Sequence, residues 1–149
     1  MTSPPHTALP VELGVLLAGR GAVASARVRD ALATEGLTMR SVFTLRHLAD
    51  GPVNQQTLID LLGVDPSSLV GVLNELEGLG LASRQRDTAD RRRHIVTLTP
   101  KGAATLQAVD DVLDKADNDL FGALSPRERD QLNRLLIKVA DTASCADKF

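Results

Sequence analysis

Between Asp65 and Gly80 the sequence sets Leu69, Val72, Leu73, Leu76 and Leu79 at steps of three and four, the period of one buried helical face. Both ends of that stretch are marked. Asp65-Pro66 supplies a cap followed by proline in the first turn, and Gly80 supplies a residue that leaves the helix cheaply. A shorter stretch precedes it: Asn54 can cap a helix through Leu62, with Leu58, Leu61 and Leu62 apolar and Gly63 at its end. Two helices joined by about three residues including a glycine, the second of them amphipathic, predict a helix-turn-helix. That unit cannot bury its own leucines, so the rest of the chain has to cover them.

After Gly80 the period changes. Residues 81–86 and 94–99 read as two short strands, with Val96 and Leu98 alternating with Thr97, around the polar loop 87–93. Two strands and a basic loop directly behind a helix-turn-helix predict a wing. Upstream, residues 10–35 read as a long helix with Pro10 in its first turn and Val11, Val15, Ala18, Ala22, Val28 and Leu32 on one side. Thr38 reads as the cap of a helix over 39–50 that turns Val42, Leu45 and Leu48 inward and stops at Gly51-Pro52. Downstream, Thr99-Pro100 opens a helix with the stripe Leu106, Val109, Leu113, Ala116 and Leu120. Ser125-Pro126-Arg127-Glu128 is a capping box for a last helix bearing Leu132, Leu135, Leu136, Val139 and Ala143. The predicted fold class is mainly α with a small β-hairpin wing. Its segments are an N-terminal dimerisation helix within 1–35, a winged helix-turn-helix over 36–99 and C-terminal dimerisation helices over 100–149. Long amphipathic helices outside so small a module need a partner surface, and a second copy of the chain is the economical one.

Composition narrows the function classes. At 149 residues, with 43% hydrophobic and 24% charged, the chain fits one ordinary globular domain. No apolar run approaches the roughly 18–20 residues of a membrane span, and the first ten residues lack a signal-peptide pattern, so a cytoplasmic protein is expected. Cys145 stands alone and cannot form an intramolecular disulfide. His6, His47 and His94 are scattered, so neither a metal site nor a cofactor is expected. Three Phe, no Trp and no Tyr leave an aliphatic core. Neither a glycine-rich phosphate loop nor a nucleophile–base spacing argues for an enzyme. The net charge of −2 and pI near 5.9 lack the usual footprint of a nucleic-acid binder. Yet residues 84–93 (RQRDTADRRR) hold five arginines against two aspartates, which leaves −5 on the remainder. Positive charge is concentrated on the wing, and its location matters more than the total.

From Asp90 and Arg92 through Val96, Leu98 and Thr99 to Gly102, the chain resembles the MarR family of transcriptional regulators, which carries D-x-R-x-x-x-V-x-L-T-x-x-G across the wing and the next helix. The stretch LLGVDPSSLVGVLNELEGLGLASR is similar to the family's helix-turn-helix, and the order of elements agrees along nearly the whole chain. The resemblance implies a triangular homodimer held by its terminal helices. It implies binding to a pseudo-palindromic operator in double-stranded DNA, usually as a repressor, and release by a small-molecule effector, often an aromatic acid.

In that reading the outer face of the 66–79 helix enters the major groove. Ser67 and Ser68 donate to phosphate or base edges, Val70 meets a thymine methyl, Gly71 lets the backbone come close and Asn74 pairs with adenine. This face departs from the family, whose members often carry Thr-Arg where Val70-Gly71 stand and a basic residue where Glu75 stands. The helix holds no Lys or Arg, which shifts the electrostatic burden to Arg84, Arg86, Arg91, Arg92 and Arg93. By the resemblance, Arg92 reaches the minor groove. Asp90 is expected to brace the wing by pairing with a neighbouring arginine such as Arg84. Arg46 and His47 fall where the resemblance puts an effector pocket, although each also reads as an ordinary surface or structural residue. Cys145 lies away from the N-terminal position of the family's peroxide-sensing thiols. A competing reading remains open at this level: a winged-helix protein-interaction module whose arginines meet an acidic partner.

Overall fold

The computed structural model describes residues 12–140. Six helices and three strands follow in the order α1 (Leu13–Ala33), α2 (Met39–Ala49), β1 (Val53–Asn54), α3 (Gln55–Leu62), α4 (Pro66–Gly78), β2 (Ala82–Arg86), β3 (His94–Leu98), α5 (Pro100–Phe121) and α6 (Pro126–Ala140). Val11, Pro10, His6, Ala143 and Cys145 lie outside the described residues, so the expected first-turn role of Pro10 lies there too. Glu12 stands at the N-cap of α1 without a side-chain capping bond.

The predicted caps are present as hydrogen bonds. Thr38 accepts from the Ser41 amide, Asn54 from Thr57, Asp65 from Ser68 and Thr99 from Gly102. At the start of α6 the capping box closes reciprocally: Glu128 accepts from the Ser125 amide at 2.8 Å, and Ser125 Oγ accepts from the Glu128 amide at 3.4 Å. Gly63 takes φ 61°, the left-handed conformation that ends α3 and turns the chain towards α4.

β1 was not legible in the sequence. It is two residues long, too short to show alternation, and follows Gly51-Pro52 directly. It completes an antiparallel sheet of order β1-β3-β2, pairing Val53 with Val96 and Asn54 with Ile95. The hairpin register runs from Ala82 opposite Leu98 to Arg86 opposite His94. β3 is therefore central, and its Val96 is fully buried.

One aliphatic core joins these elements. Leu45, Leu48, Leu58, Leu69, Leu73, Leu76 and Val96 meet inside the winged module, and Leu32, Leu106 and Val109 bring α1 and α5 into the same cluster. Each fully buried leucine contributes about 1.5–3 kcal/mol relative to exposure, so the leucine face of α4 fixes its orientation strongly. Leu79 was expected inward with that face, but it is 39% exposed. The helix ends at Gly78, and Gly80 at φ 72° redirects the chain so that Leu81 takes the buried place.

The junction of wing and α5 is held by Thr99. Its hydroxyl donates to the Gly80 carbonyl at 2.7 Å and accepts from the Gly102 amide at 3.0 Å, while Lys101 Nζ donates to the Leu79 carbonyl at 2.7 Å. Thr99 thus closes the N-terminus of α5 and the turn after α4 together. Thr99→Ala should lower unfolding free energy by about 1–2 kcal/mol, the range for losing a cap. Denaturant titration measures it, and an unchanged midpoint would show that the two bonds contribute nothing net.

The ends of the chain carry apolar surface of another kind. Leu13, Val15, Leu16 and Leu17 of α1 and Leu135, Leu136, Ile137 and Val139 of α6 are each at least 42% exposed.

Candidate nucleic-acid interface

The leucine face of α4 points into the core, so its other side meets solvent, with Ser67, Val70, Gly71 and Asn74 exposed along it and Ser68 half-buried. A methyl added at Gly71 would meet nothing within 4 Å, so the fold itself makes no steric demand for glycine there. Asp65 organises the first turn. Its two carboxylate oxygens accept from the hydroxyls of Ser67 and Ser68, both at 2.5 Å, and one also accepts from the Ser68 amide at 2.9 Å. The serine hydroxyl bonds, then the amide, hold the Asp65 carboxyl well below the usual carboxylate range. Both serine protons are therefore directed at Asp65. The serines present acceptor lone pairs outward, where the sequence reading had them donating.

Arg84 is not aimed outward either. From β2 its backbone amide donates to Glu77 Oε1 at 2.8 Å and its Nε to Oε2 at 2.9 Å, with Nη2 2.6 Å from Oε2. The same Nη2 donates to Asn74 Oδ1. Arg84 and Glu77 are both half-buried, and the bonds from Arg84 lower the Glu77 carboxyl below its ordinary value. The stabilisation from a carboxylate lowered in this way is complete above its unfolded pKa and is lost as pH falls through the folded one. Glu77 escaped the sequence reading because an acidic residue on the flank of a helix carries no signal until β2 is placed against it.

The expected Asp90–Arg84 pair is corrected accordingly. Asp90 braces the wing locally, accepting from the Arg92 amide at 3.0 Å and lying 3.4 Å from Arg93 Nε. Asp87 accepts from the Ala89 amide at 2.9 Å, and its own amide donates to the Arg93 carbonyl at 2.9 Å. Two aspartates fold the loop, and three side chains remain for other work. Arg86, Arg91 and Arg92 are exposed and make no side-chain hydrogen bond or ion pair with described residues.

Wing and helices face one another. A cleft of about 520 Å³ is lined by Asn54, Gln55, Gln56 and Thr57 at the start of α3, Pro66 at the start of α4, and Arg92, Arg93 and His94 of the wing. Arg92 and Arg93 on one wall face the start of α3 on the other, whose helix dipole adds partial positive charge, so the cleft suits an anionic strand. At the start of α4 the Asp65 carboxylate caps the helix and offsets its dipole.

Arg46 and His47 lie elsewhere, on α2. Arg46 Nη2 is 2.8 Å from Asp110 Oδ1 of α5, and His47 is half-buried. The Arg46 charge is thereby engaged in tying α2 to α5; Asp110 gave no sign in the sequence of being its partner. Among the described residues no group of three or more His, Cys, Asp or Glu could hold a metal ion, and no helix is long and apolar enough to cross a membrane.

A helix-turn-helix with an arginine-tipped hairpin behind it, braced by a third strand and by helices from both chain ends, defines a winged helix-turn-helix protein. The sequence pattern of the MarR family matches residues 35–93. A protein of Thauera aromatica named for transcriptional regulation of its hcr operon is 36% identical over 134 residues, 88% of this chain and 80% of that one. The chain belongs to the MarR family of transcriptional regulators. Among solved structures, the repressor CouR bound to a 23-mer DNA duplex superposes with a TM-score of 0.76 at 31% identity, covering 87% of this chain and 92% of CouR. BpsR of Bordetella bronchiseptica, whose DNA binding 6-hydroxynicotinic acid regulates, gives 0.73 at 27% identity, covering 95% and 100%.

Proposed function

We propose that this chain is a cytoplasmic homodimer that binds a pseudo-palindromic DNA operator, represses transcription there and is released by a small molecule. It acts by binding, without catalysis. The observation that carries the reading is the cleft in which Arg92 and Arg93 face the starts of α3 and α4, beside an α4 surface left open to solvent. The duplex-bound state of CouR and the ligand control of BpsR support the operator and the effector respectively. Residues 36–99 form the DNA-reading part. Segments 1–35 and 100–149 join two copies, so that the two α4 helices reach successive major grooves about 34 Å apart. Ser67, Ser68, Val70, Gly71 and Asn74 face the groove, Arg86, Arg91, Arg92 and Arg93 meet the backbone and minor groove, and Arg84 acts from behind. Arg46 and His47, beside the α2–α5 contact, border the effector site.

Fluorescence anisotropy against the protein's own upstream intergenic DNA tests the reading. Binding at low salt should weaken steeply as salt rises. No binding at micromolar protein would instead favour a protein-interaction module, a reading to which the absence of Lys and Arg from α4 lends weight.

The dimer has its own test. Truncation after Leu124 removes α6 and its exposed Leu135, Leu136, Ile137 and Val139, and should give monomers by light scattering. A truncated chain that still sediments as a dimer would show that α6 is dispensable for association.

A further inference from the structure

We infer that Arg84 is a positioning residue that makes Asn74 a one-sided reader of the major groove. Its guanidinium holds the amide carbonyl, so the amide NH₂ faces outward and favours a keto base, guanine or thymine, over an amino base, adenine or cytosine. This rests on α4 being the recognition helix.

The orientation of the Asn74 amide follows from chemistry. Arginine has donors only, so the atom it meets on Asn74 has to be the carbonyl oxygen, and the NH₂ is left on the other side. Arg84 cannot readily release it. The guanidinium is held from behind by Glu77, one helical turn along α4 from Asn74, through Nε and Nη2, and the backbone of Arg84 is fixed opposite Val96 in the sheet. The restraint therefore runs from the sheet through Arg84 to one side chain on the exposed face.

An unrestrained asparagine meets adenine with both ends, accepting from the N6 amino group while donating to N7. With its carbonyl engaged by Arg84, Asn74 offers the groove donors. Guanine answers with both O6 and N7 and thymine with O4. Cytosine sets only an amino group against the amide NH₂, and adenine leaves N7 alone beside its amino group, one acceptor where guanine has two. Donor facing donor in a desolvated contact leaves both unpaired, which costs more than the bond they replace. The surroundings sharpen this role, because α4 has no Lys or Arg and the Ser67 and Ser68 protons are directed at Asp65. Asn74 is the principal outward side-chain donor on this helix.

The test is selection by the full-length protein from a library of randomised duplexes, followed by sequencing, with wild type, Asn74→Ala and Arg84→Met in parallel. Wild type should favour a keto base about tenfold at one position per half-site, the scale of a single mismatch. Asn74→Ala should erase that preference. Arg84→Met should reduce it to within about twofold or turn it towards adenine, at that position alone. A role confined to fold stability would weaken every position alike. Thermal melting monitors the fold. Should Arg84→Met unfold, Arg84→Lys, which keeps a donor but loses the two-sided fork, is expected to show the same relaxation in smaller measure. A keto preference that survives intact in the folded Arg84 variant overturns the inference alone, as does an Asn74→Ala selection identical to wild type. Enrichment of no motif by wild type would sink sequence-specific binding itself, and this inference with it.

Discussion

Removing the two unengaged wing-tip charges, Arg91→Ala with Arg92→Ala, should weaken binding to duplex DNA by about 100-fold or more at near-physiological salt and flatten its salt dependence. Each phosphate charge neutralised by protein releases condensed counterions, so log K falls with log salt at about −0.9 per contact. A dimer carries two wings, and the double variant deletes four charges, so the slope should fall in magnitude by roughly 3–4. Arg93 supplies the control. It stands in the same loop but pairs with Asp90, and its removal takes away a charge already partly answered within the protein. Arg93→Ala should therefore change the slope less than Arg92→Ala does. Salt titrations of anisotropy measure all three. Equal effects from Arg92 and Arg93 would show that the bracing of the loop by Asp90 is irrelevant to which arginine meets DNA. An unchanged slope in the double variant would remove the wing tip from the contact surface.

What the sequence disclosed and what it hid divide along a physical line. Local devices were legible because each is written in adjacent residues. The caps Thr38, Asn54, Asp65, Thr99 and Ser125, the left-handed Gly63 and the leucine period of α4 as far as Leu76 need no knowledge of the fold, and the structure has them where they were expected. Partnerships across the fold were not legible. Arg84 was read as facing DNA and pairing with Asp90, because both lie in one basic stretch. Its partner is Glu77 on the preceding helix, brought close by the turn at Gly80. Arg46 likewise meets Asp110, sixty-four residues away. Hydroxyl direction was hidden for a related reason. Ser67 and Ser68 were read as donors by residue type, whereas the Asp65 carboxylate beside them takes both protons. The candidate interface was thus legible as a set of residues more than as a set of donors and acceptors, and specificity depends on the latter.

Gly102 ends the sequence motif, and replacing it should cost more than any other single-methyl change at a described glycine. Ordinarily Gly→Ala inside a helix stabilises by about 1 kcal/mol, because alanine loses less backbone freedom on folding. At Gly102, in the first turn of α5, an added Cβ would lie 2.1 Å from the Leu81 carbonyl oxygen and 2.7 Å from Leu98 Cδ1. The leucine methyl can rotate aside; the carbonyl cannot. It belongs to the backbone just ahead of β2 and accepts the Thr99 amide at 3.1 Å, so moving it breaks a bond that joins the wing to α5. Gly102→Ala should therefore destabilise by about 3 kcal/mol or more, the upper range for overpacking with backbone displacement. That corresponds to a fall in Tm of roughly 6–12 °C for a chain of this size. Gly71→Ala, with open space around its Cβ, should by contrast leave Tm unchanged or raise it. Protein that still folds with Ala at position 102 should also bind DNA more weakly, because α5 and the wing share the displaced backbone and the arginines move relative to α4. A Gly102→Ala protein that melts with wild type would mean that α5 does not approach Leu81 this closely, and the glycine of the motif would then need another cause.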